Sequence, residues 1–415
     1  MNGEARTNGF GAISLLRAAA VWGPGLLVML ADTDAGNVVT AAQAGAQWGY
    51  RLLPLVLLLI PMLYMVQELT VRLGVATRRG HGELIREQFG LGWAWLAVTG
   101  LAAATLGSLV TEFTGVAGIG ELFGVPRSLT LPAAAAGLLA IVGAGSYRRV
   151  ERAAIVVGLF ELAFFAVAWQ ARPSLATLAR DAINLPLGDR QFMFLAAAII
   201  GATFNPWMIY YQQSATVDKK LEPADLAHAR MDTGIGAILT QLITGAVLVA
   251  AAATFATGAA PARLSSVGEI SEALTPVLGE GVGRVVFAAG VLGASLVAGI
   301  VSSLALAWGV GEVAGYRRSL EYRPFQAGWF YGVYAACVIG SGAAVWFASD
   351  LVWLNIAAQV LNAFLMPLVN GFLVALAVKA LPEPYRLRGW YLALIVGVCA
   401  AVSAIGMFGG LHALT

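Results

Sequence analysis

In the stretch Ala31-Asp32-Thr33-Asp34-Ala35-Gly36-Asn37, two carboxylates and a carboxamide stand together with apolar sequence before and after them. Asp and Asn compete with helical backbone hydrogen bonds, and Gly36 loosens the turn, so a helix through this stretch is expected to unwind. Unwinding exposes carbonyl oxygens and turns side-chain oxygens inward, which makes an oxygen-lined polar site. A second stretch, Gly201-Ala202-Thr203-Phe204-Asn205-Pro206-Trp207, carries the same expectation for a different reason. Pro206 has no N–H and clashes with the preceding turn, so the helix breaks there and frees carbonyls near Ala202. Each feature has a plainer reading when taken alone: Pro206 as a simple kink, Asp34 and Asn37 as an internally hydrogen-bonded pair.

The elements that must hold these residues are membrane helices. Of 415 residues, 59% are hydrophobic and 12% charged, with a mean hydropathy of +0.78. A soluble domain needs about a quarter of its residues charged, so most of this surface must face lipid. Crossing a bilayer takes about 20 mostly apolar residues, and eleven such runs are legible, at roughly 22–46, 52–74, 94–120, 129–146, 152–171, 191–214, 233–258, 284–312, 327–347, 351–378 and 390–411. The connections at about 172–190 and 259–283 carry Pro, Gly, Ser and charges and read as surface loops. The chain therefore reads as a single all-α transmembrane domain, 1–415. The first 21 residues lack the apolar core and cleavage site of a secretory signal, so the N-terminus is expected to be retained. With that terminus inside, 18 of the 25 basic residues fall on inner segments and 7 on outer ones. This is the usual cytoplasmic bias of Lys and Arg, and eleven spans then place the C-terminus outside. Cys337 and Cys399 lie in apolar runs and read as buried free thiols.

The two breaks fall in spans 1 and 6, at equivalent places in two five-helix halves (about 22–171 and 191–378, with an extra helix at about 390–411). Paired interruptions of this kind point to the binding site of an inverted-repeat transporter. Irregular backbone at that depth is tolerated only where protein or a watery cavity covers it, and a carboxylate there costs a few kcal/mol or more.

Several motifs then resemble those of a known family. Trp22-Gly23-Pro24-Gly25-Leu26, Asp34-Ala35-Gly36-Asn37, Gln43-Ala44-Gly45-Ala46 and Gly49-Tyr50 resemble the first span of the Nramp divalent-metal transporters. Gln67-Glu68 with Arg72-Leu73-Gly74-Val75-Ala76-Thr77 resembles the end of their second span. Gly201-Ala202-Thr203 resembles the approach to their sixth-span motif, and Gln359-Val360-Leu361 with Pro367 their tenth span. The resemblance implies a LeuT-like fold and a transported divalent cation. The departures are specific: Asn205 stands where the family has a methionine, and Trp207 and Gln212 where it has histidines. Leu109 replaces one of two span-3 carboxylates, leaving Glu112, and Ala35 replaces the signature proline. These departures resemble the prokaryotic Nramp-related magnesium transporters.

The ligand set this implies is Asp34 carboxylate, Asn37 and Asn205 amide oxygens, and carbonyls from Ala31 and Ala202. Asp32 either adds a carboxylate to the cavity or bonds the frayed helix end. Gln359 either contacts the ion in an occluded state or makes an interhelical hydrogen bond. All these ligands are hard oxygens, which suit Mg²⁺ and leave Mn²⁺ as a second substrate, whereas a thioether would favour softer metals. Three of the four positions that would carry protons in the family are not titratable here, so transport without proton coupling is expected. No cofactor, nucleic acid or obligate protein partner is implied; the partners are the cation and the bilayer, in a prokaryotic inner membrane. Two alternatives stand: a proton-coupled Mn²⁺/Fe²⁺ importer, and an ion-linked carrier of small organic solutes. Glu68 and Arg72, at i and i+4, read as a structural pair. No nucleophile constellation, Walker-type loop or His/Cys metal spacing supports an enzyme.

Overall fold

Long runs of Leu, Val, Ala and Ile in lipid leave the helix as the form that satisfies every backbone N–H and C=O within one segment. The computed structural model describes residues 21–144, 146–255, 264, 270, 271, 280–348 and 350–414, and the described residues form helices with no strand. The first helices are α1 (Pro24–Asp32), α2 (Ala35–Trp48), α3 (Leu53–Thr77), α4 (His81–Phe89), α5 (Leu91–Leu122) and α6 (Arg127–Gly143). Next come α7 (Tyr147–Gly158), a 3₁₀ turn (Leu159–Leu162), α8 (Ala163–Gln170), α9 (Leu175–Ile183), α10 (Arg190–Thr203) and α11 (Pro206–Asp218). The last five are α12 (Leu226–Phe255), α13 (Glu280–Ala314), α14 (Gly328–Trp346), α15 (Leu351–Lys379) and α16 (Gly389–Leu414).

Among the described residues, nine helical stretches are long and apolar enough to cross a membrane, and Arg127–Gly143 is a shorter apolar helix. The remaining expected span, the first, is divided between α1 and α2, so neither half is long enough to count as a crossing alone. Both expected breaks are present. α1 ends as Thr33 N–H turns back to the Leu30 carbonyl, and α2 begins with Asp34 as its N-cap. α10 ends at Thr203, and α11 restarts with Pro206 at its first position, where a missing N–H costs nothing.

Two features differ from the sequence reading. The segment read as a loop at 172–190 contains α9, capped by Ser174 and tied to the first span through Asp181, which accepts from Tyr50 N–H. A short amphipathic pattern bounded by Ser and Pro is easily taken for a loop when its partner lies 131 residues away. The fifth span is interrupted by the 3₁₀ turn at Leu159–Leu162, for which no Pro or Gly within the turn gives warning. Most of the expected loop at 259–283 and the expected end of span 7 at 258 lie outside the described residues, as do Arg6, Arg17 and Arg263.

The broken helices sit at the centre of the packing. α12 packs against α1, α2 and α3. α5 packs against α13 and α15, and α10 against α15 and α16. The α10–α15 approach is close because Gly201 leaves room for the Gln359 carbonyl, which a β-carbon there would strike. Gly36 does the same for the Gln359 side chain. Two glycines on two broken spans thus admit one glutamine of α15.

Near the C-terminal end of α3, Glu68 accepts from Arg72 Nη2 at 2.8 and 2.9 Å and from its Nε at 3.1 Å. It also accepts from Arg230 of α12 at 2.6 Å, so the expected pair is a three-residue network. His81, at the start of α4, meets Gln213 Oε1 at 2.9 Å; Gln213 Nε2 donates to the Arg79 carbonyl, which fixes the amide and makes His81 Nδ1 the donor. Burial pushes this imidazole down to about 4, so it is neutral. Cys337 and Cys399 are buried free thiols.

Candidate functional site

Asp34 begins α2, and its fully buried carboxylate accepts from Asn37 N–H at 2.6 Å through Oδ1. This caps an orphan donor of the half-helix. Gln359 Nε2 approaches the same oxygen at 3.5 Å, while Oδ2 has no hydrogen-bond partner. Asn37 is expected as an oxygen ligand, but here its oxygen accepts from Thr244 Oγ1 at 2.8 Å and its Nδ2 donates to the Asp32 carbonyl at 3.2 Å. It fastens the end of α1 to the start of α2 and to α12.

Asp32 is also fully buried. Its Oδ1 accepts from Asn205 Nδ2 at 3.4 Å, and its Oδ2 has no hydrogen-bond partner. Asn205 therefore turns its nitrogen toward Asp32 and toward the Ala202 carbonyl, which accepts at 2.8 Å. Asn205 Oδ1 accepts from Asn362 Nδ2 at 2.5 Å, with Ser108 Oγ at 3.5 Å. Ala31 is buried in the last turn of α1. The structure thus joins Asp32, Asp34, Asn37, Asn205, Ala202 and Gln359 through direct or shared hydrogen bonds, with Ala31 adjacent in sequence. Among the side-chain oxygens of these residues, one on each of the two carboxylates has no hydrogen-bond partner.

The flanking positions are committed to packing. Glu112 Oε2 accepts from Ala35 N–H at 3.1 Å, so it holds the start of α2, and its carboxyl lies beside that of Asp34. Trp207 is buried with its indole N–H donated to Ser108 Oγ at 2.9 Å. Gln212 Nε2 donates to Thr233 of α12 at 2.8 Å.

Sequence reading missed three residues here. Asn362 bridges Asn205 and Gln359. Glu161, on the 3₁₀ turn of the fifth span, is 0% exposed, and neither of its carboxyl oxygens closes a hydrogen bond although Thr33 is nearby. Asp232 of α12 accepts from the N–H groups of Gly23, Gly25 and Leu26 at 3.1, 2.8 and 3.1 Å, capping α1 from another helix. Lys219 secures the same end, donating to the Trp22 carbonyl at 2.7 Å and to Glu151 at 2.8 Å. For Glu161 the available signal was a carboxylate inside an apolar run. For Asn362 it was an amide three residues beyond Gln359, one turn along the same helix face.

Two helices broken at the centre of a polytopic bundle, with unpartnered carboxylate oxygens at the break, define a membrane carrier with a polar site between its spans. Comparison with known proteins agrees. The family model for natural resistance-associated macrophage protein-like proteins (Nramp) matches residues 25–410, and the chain belongs to that family. The divalent metal cation transporter MntH of Yersinia enterocolitica is 30% identical over 306 residues, covering 71% of this chain and 72% of that protein. Among solved structures, the manganese transporter of Eremococcus coleocola superposes with a TM-score of 0.76 at 16% identity, covering 98% of this chain and 88% of that one. MhsT bound to L-phenylalanine superposes with a TM-score of 0.61 at 14% identity, covering 94% and 98%. The fold is LeuT-like.

Proposed function

We propose that this chain carries divalent metal cations across a prokaryotic inner membrane by alternating access, preferring Mg²⁺ and also admitting Mn²⁺, without a coupled proton. One observation carries the reading: the side chains at the two helix breaks are carboxylates and amides, and the two buried carboxylates each keep an oxygen with no hydrogen-bond partner. A buried carboxylate oxygen without a donor is costly, and a cation removes that cost. Hard oxygens suit Mg²⁺, which usually keeps several waters while one or two carboxylates hold it. Asp34 and Asp32 would supply the charge, and the amides of Asn205 and Gln359 would hold the ion or its waters. Asn37 and the carbonyls of Ala31 and Ala202 would shape the unwound segments around them. The two inverted repeats, about 22–171 and 191–378, would move around this site, with the N-terminus inside and the C-terminus outside. With the interior negative, a dication gains about 4.6 kcal/mol per 100 mV, twice the single-charge value, so inward flux needs no proton.

One observation favours the alternative of a proton-coupled Mn²⁺ importer: Glu161 is a buried carboxyl without a closed hydrogen bond, in a broken span beside Thr33. The test is uptake into proteoliposomes with Mg²⁺ and Mn²⁺ supplied separately outside and lumenal pH followed. Mg²⁺ entry without acidification supports the uncoupled hard-ion carrier. Mn²⁺ entry with acidification, no Mg²⁺ entry, and loss of the acidification in Glu161→Gln would establish the alternative instead.

A further inference from the structure

Carboxylate and carbonyl oxygens only accept hydrogen bonds, and this fixes the direction of three amides at the centre of the molecule. Asn205 must turn Nδ2 toward Asp32 Oδ1 and the Ala202 carbonyl, which leaves its Oδ1 facing α15. Gln359 must turn Nε2 toward Asp34 Oδ1, which leaves its Oε1 facing Asn362. Both remaining oxygens converge on one donor: Asn362 Nδ2 reaches Asn205 at 2.5 Å and Gln359 at 3.0 Å. The result is a continuous bridge from Asp32 through Asn205, Asn362 and Gln359 to Asp34, spanning α1, α11, α15 and α2. Its middle member is 0% exposed, and its own Oδ1 has no partner. An amide oxygen buried without a donor costs about 1–3 kcal/mol, so this oxygen is a place where a ligand gains.

In this arrangement the two amide oxygens best placed to receive a cation are both occupied by the partly positive NH₂ group of Asn362. A dication drawn in by Asp32 and Asp34 repels that group and attracts the oxygen on its other side. Rotation about the terminal side-chain torsion exchanges the two without moving the backbone, because that torsion is broad and roughly two-fold. We infer that Asn362 is a specificity-determining member of the cation site: its carboxamide turns as a hydrated divalent cation enters, releasing Asn205 Oδ1 and Gln359 Oε1 and adding its own Oδ1. Three neutral amide oxygens can then hold the waters of a hard dication without adding charge. The ion is bound by the two carboxylates yet remains free to leave. This rests on the reading of the helix breaks as a divalent-cation site.

The test compares Asn362→Leu and Asn362→Asp with wild type, in full-length protein reconstituted in liposomes, measuring KM and kcat for Mg²⁺ and for Mn²⁺. Asn362→Leu removes the turning amide and is expected to raise the KM for Mg²⁺ about tenfold, more than for Mn²⁺, with kcat changed less. Asn362→Asp, nearly isosteric, adds a charge and is expected to lower both KM and kcat, because the ion is held more tightly and released more slowly. The aspartate variant carries the test if the leucine variant fails to fold. Unchanged KM and unchanged Mg²⁺/Mn²⁺ preference in a folded variant would overturn the inference. Asp34→Ala run alongside separates the two failures. If it abolishes uptake while the Asn362 variants behave as wild type, the site stands and Asn362 is outside it. If it leaves uptake intact, the site reading falls and the role of Asn362 falls with it.

Discussion

At the Pro24 end of α1, the buried carboxylate Asp232 has three backbone N–H groups aimed at it. At the Asp32 end of the same 9-residue helix, Asp32 and Asp34 each keep an oxygen with no donor. Burial is severe at both ends, so the difference lies in satisfaction. An N-terminus offers orphan donors and partial positive charge, and a carboxylate placed there is stabilised. The C-terminal end of the same helix offers only carbonyls, so Asp32 finds no backbone donor there, and Asp34 takes the Asn37 N–H of α2 through one oxygen only. One end is built as an anchor, with Lys219 and Glu151 reinforcing it; at the other, one oxygen of each carboxylate has no hydrogen-bond partner, which the proposed function assigns to a cation.

Substitutions that exchange stability for transport separate the two ends. The largest effect is expected for Asp34→Ala, which should reduce cation uptake to the level of empty liposomes while the protein still folds; the lost cap costs about 1 kcal/mol. Asp34→Asn retains an acceptor for the cap and should be equally inactive with a smaller loss of stability. Uptake retained by both variants would remove the site from the first span. Asp232→Ala should behave oppositely: three buried N–H groups lose their acceptor, and stability should fall by about 3 kcal/mol. Thermal unfolding in detergent measures it, and a melting temperature as high as wild type would show that α1 is held by packing alone.

Smaller effects sharpen the comparison. Asn205→Met places a thioether beside Asp32 and should shift preference several-fold toward Mn²⁺ or Cd²⁺ in competition uptake assays. Identical relative affinities would show that this position does not touch the ion. The smallest expected effect is on pH. His81 is neutral in the folded protein because its imidazole is pushed down to about 4, below the ordinary value of 6.5. The unfolded chain binds that proton first, so the stabilisation is complete above about pH 6.5 and is lost as pH falls toward 4. Melting temperature should decline between pH 7 and pH 5, and His81→Gln should flatten the decline. An unchanged slope in that variant would assign the pH response to other groups.

Much of the fold was legible because the bilayer leaves few choices. The eleven apolar runs correspond, among the described residues, to nine helical stretches long enough to cross, the shorter helix Arg127–Gly143 and the divided first span, and both central breaks followed from residues within a few positions of each other. Pro206 has no N–H whatever surrounds it, and Asp34 caps Asn37 through a local bond. The third interruption, at Leu159–Leu162, has no Pro or Gly within it; the turn follows Gly158 and packs on α13. α9 reads as loop because its amphipathic run is short and flanked by Pro173 and Pro186, and its anchoring contact is to Tyr50, in the turn that follows α2.

For the site, sequence alone determined which groups are too costly to bury in lipid without a purpose: Asp32, Asp34, Asn205 and Gln359 are polar wherever the chain folds. Only the tertiary structure decided what each of them faces. It tied Asn37 to Thr244 and turned Asn205 toward Asp32. It placed Asn362 between two amide oxygens and gave Asp232 three donors from a helix more than 200 residues away. Hydrogen-bond direction depends on which acceptors surround an amide, and those acceptors come from helices distant in sequence. Residue type therefore fixes the chemistry available, and packing fixes which oxygens are left without a hydrogen-bond donor.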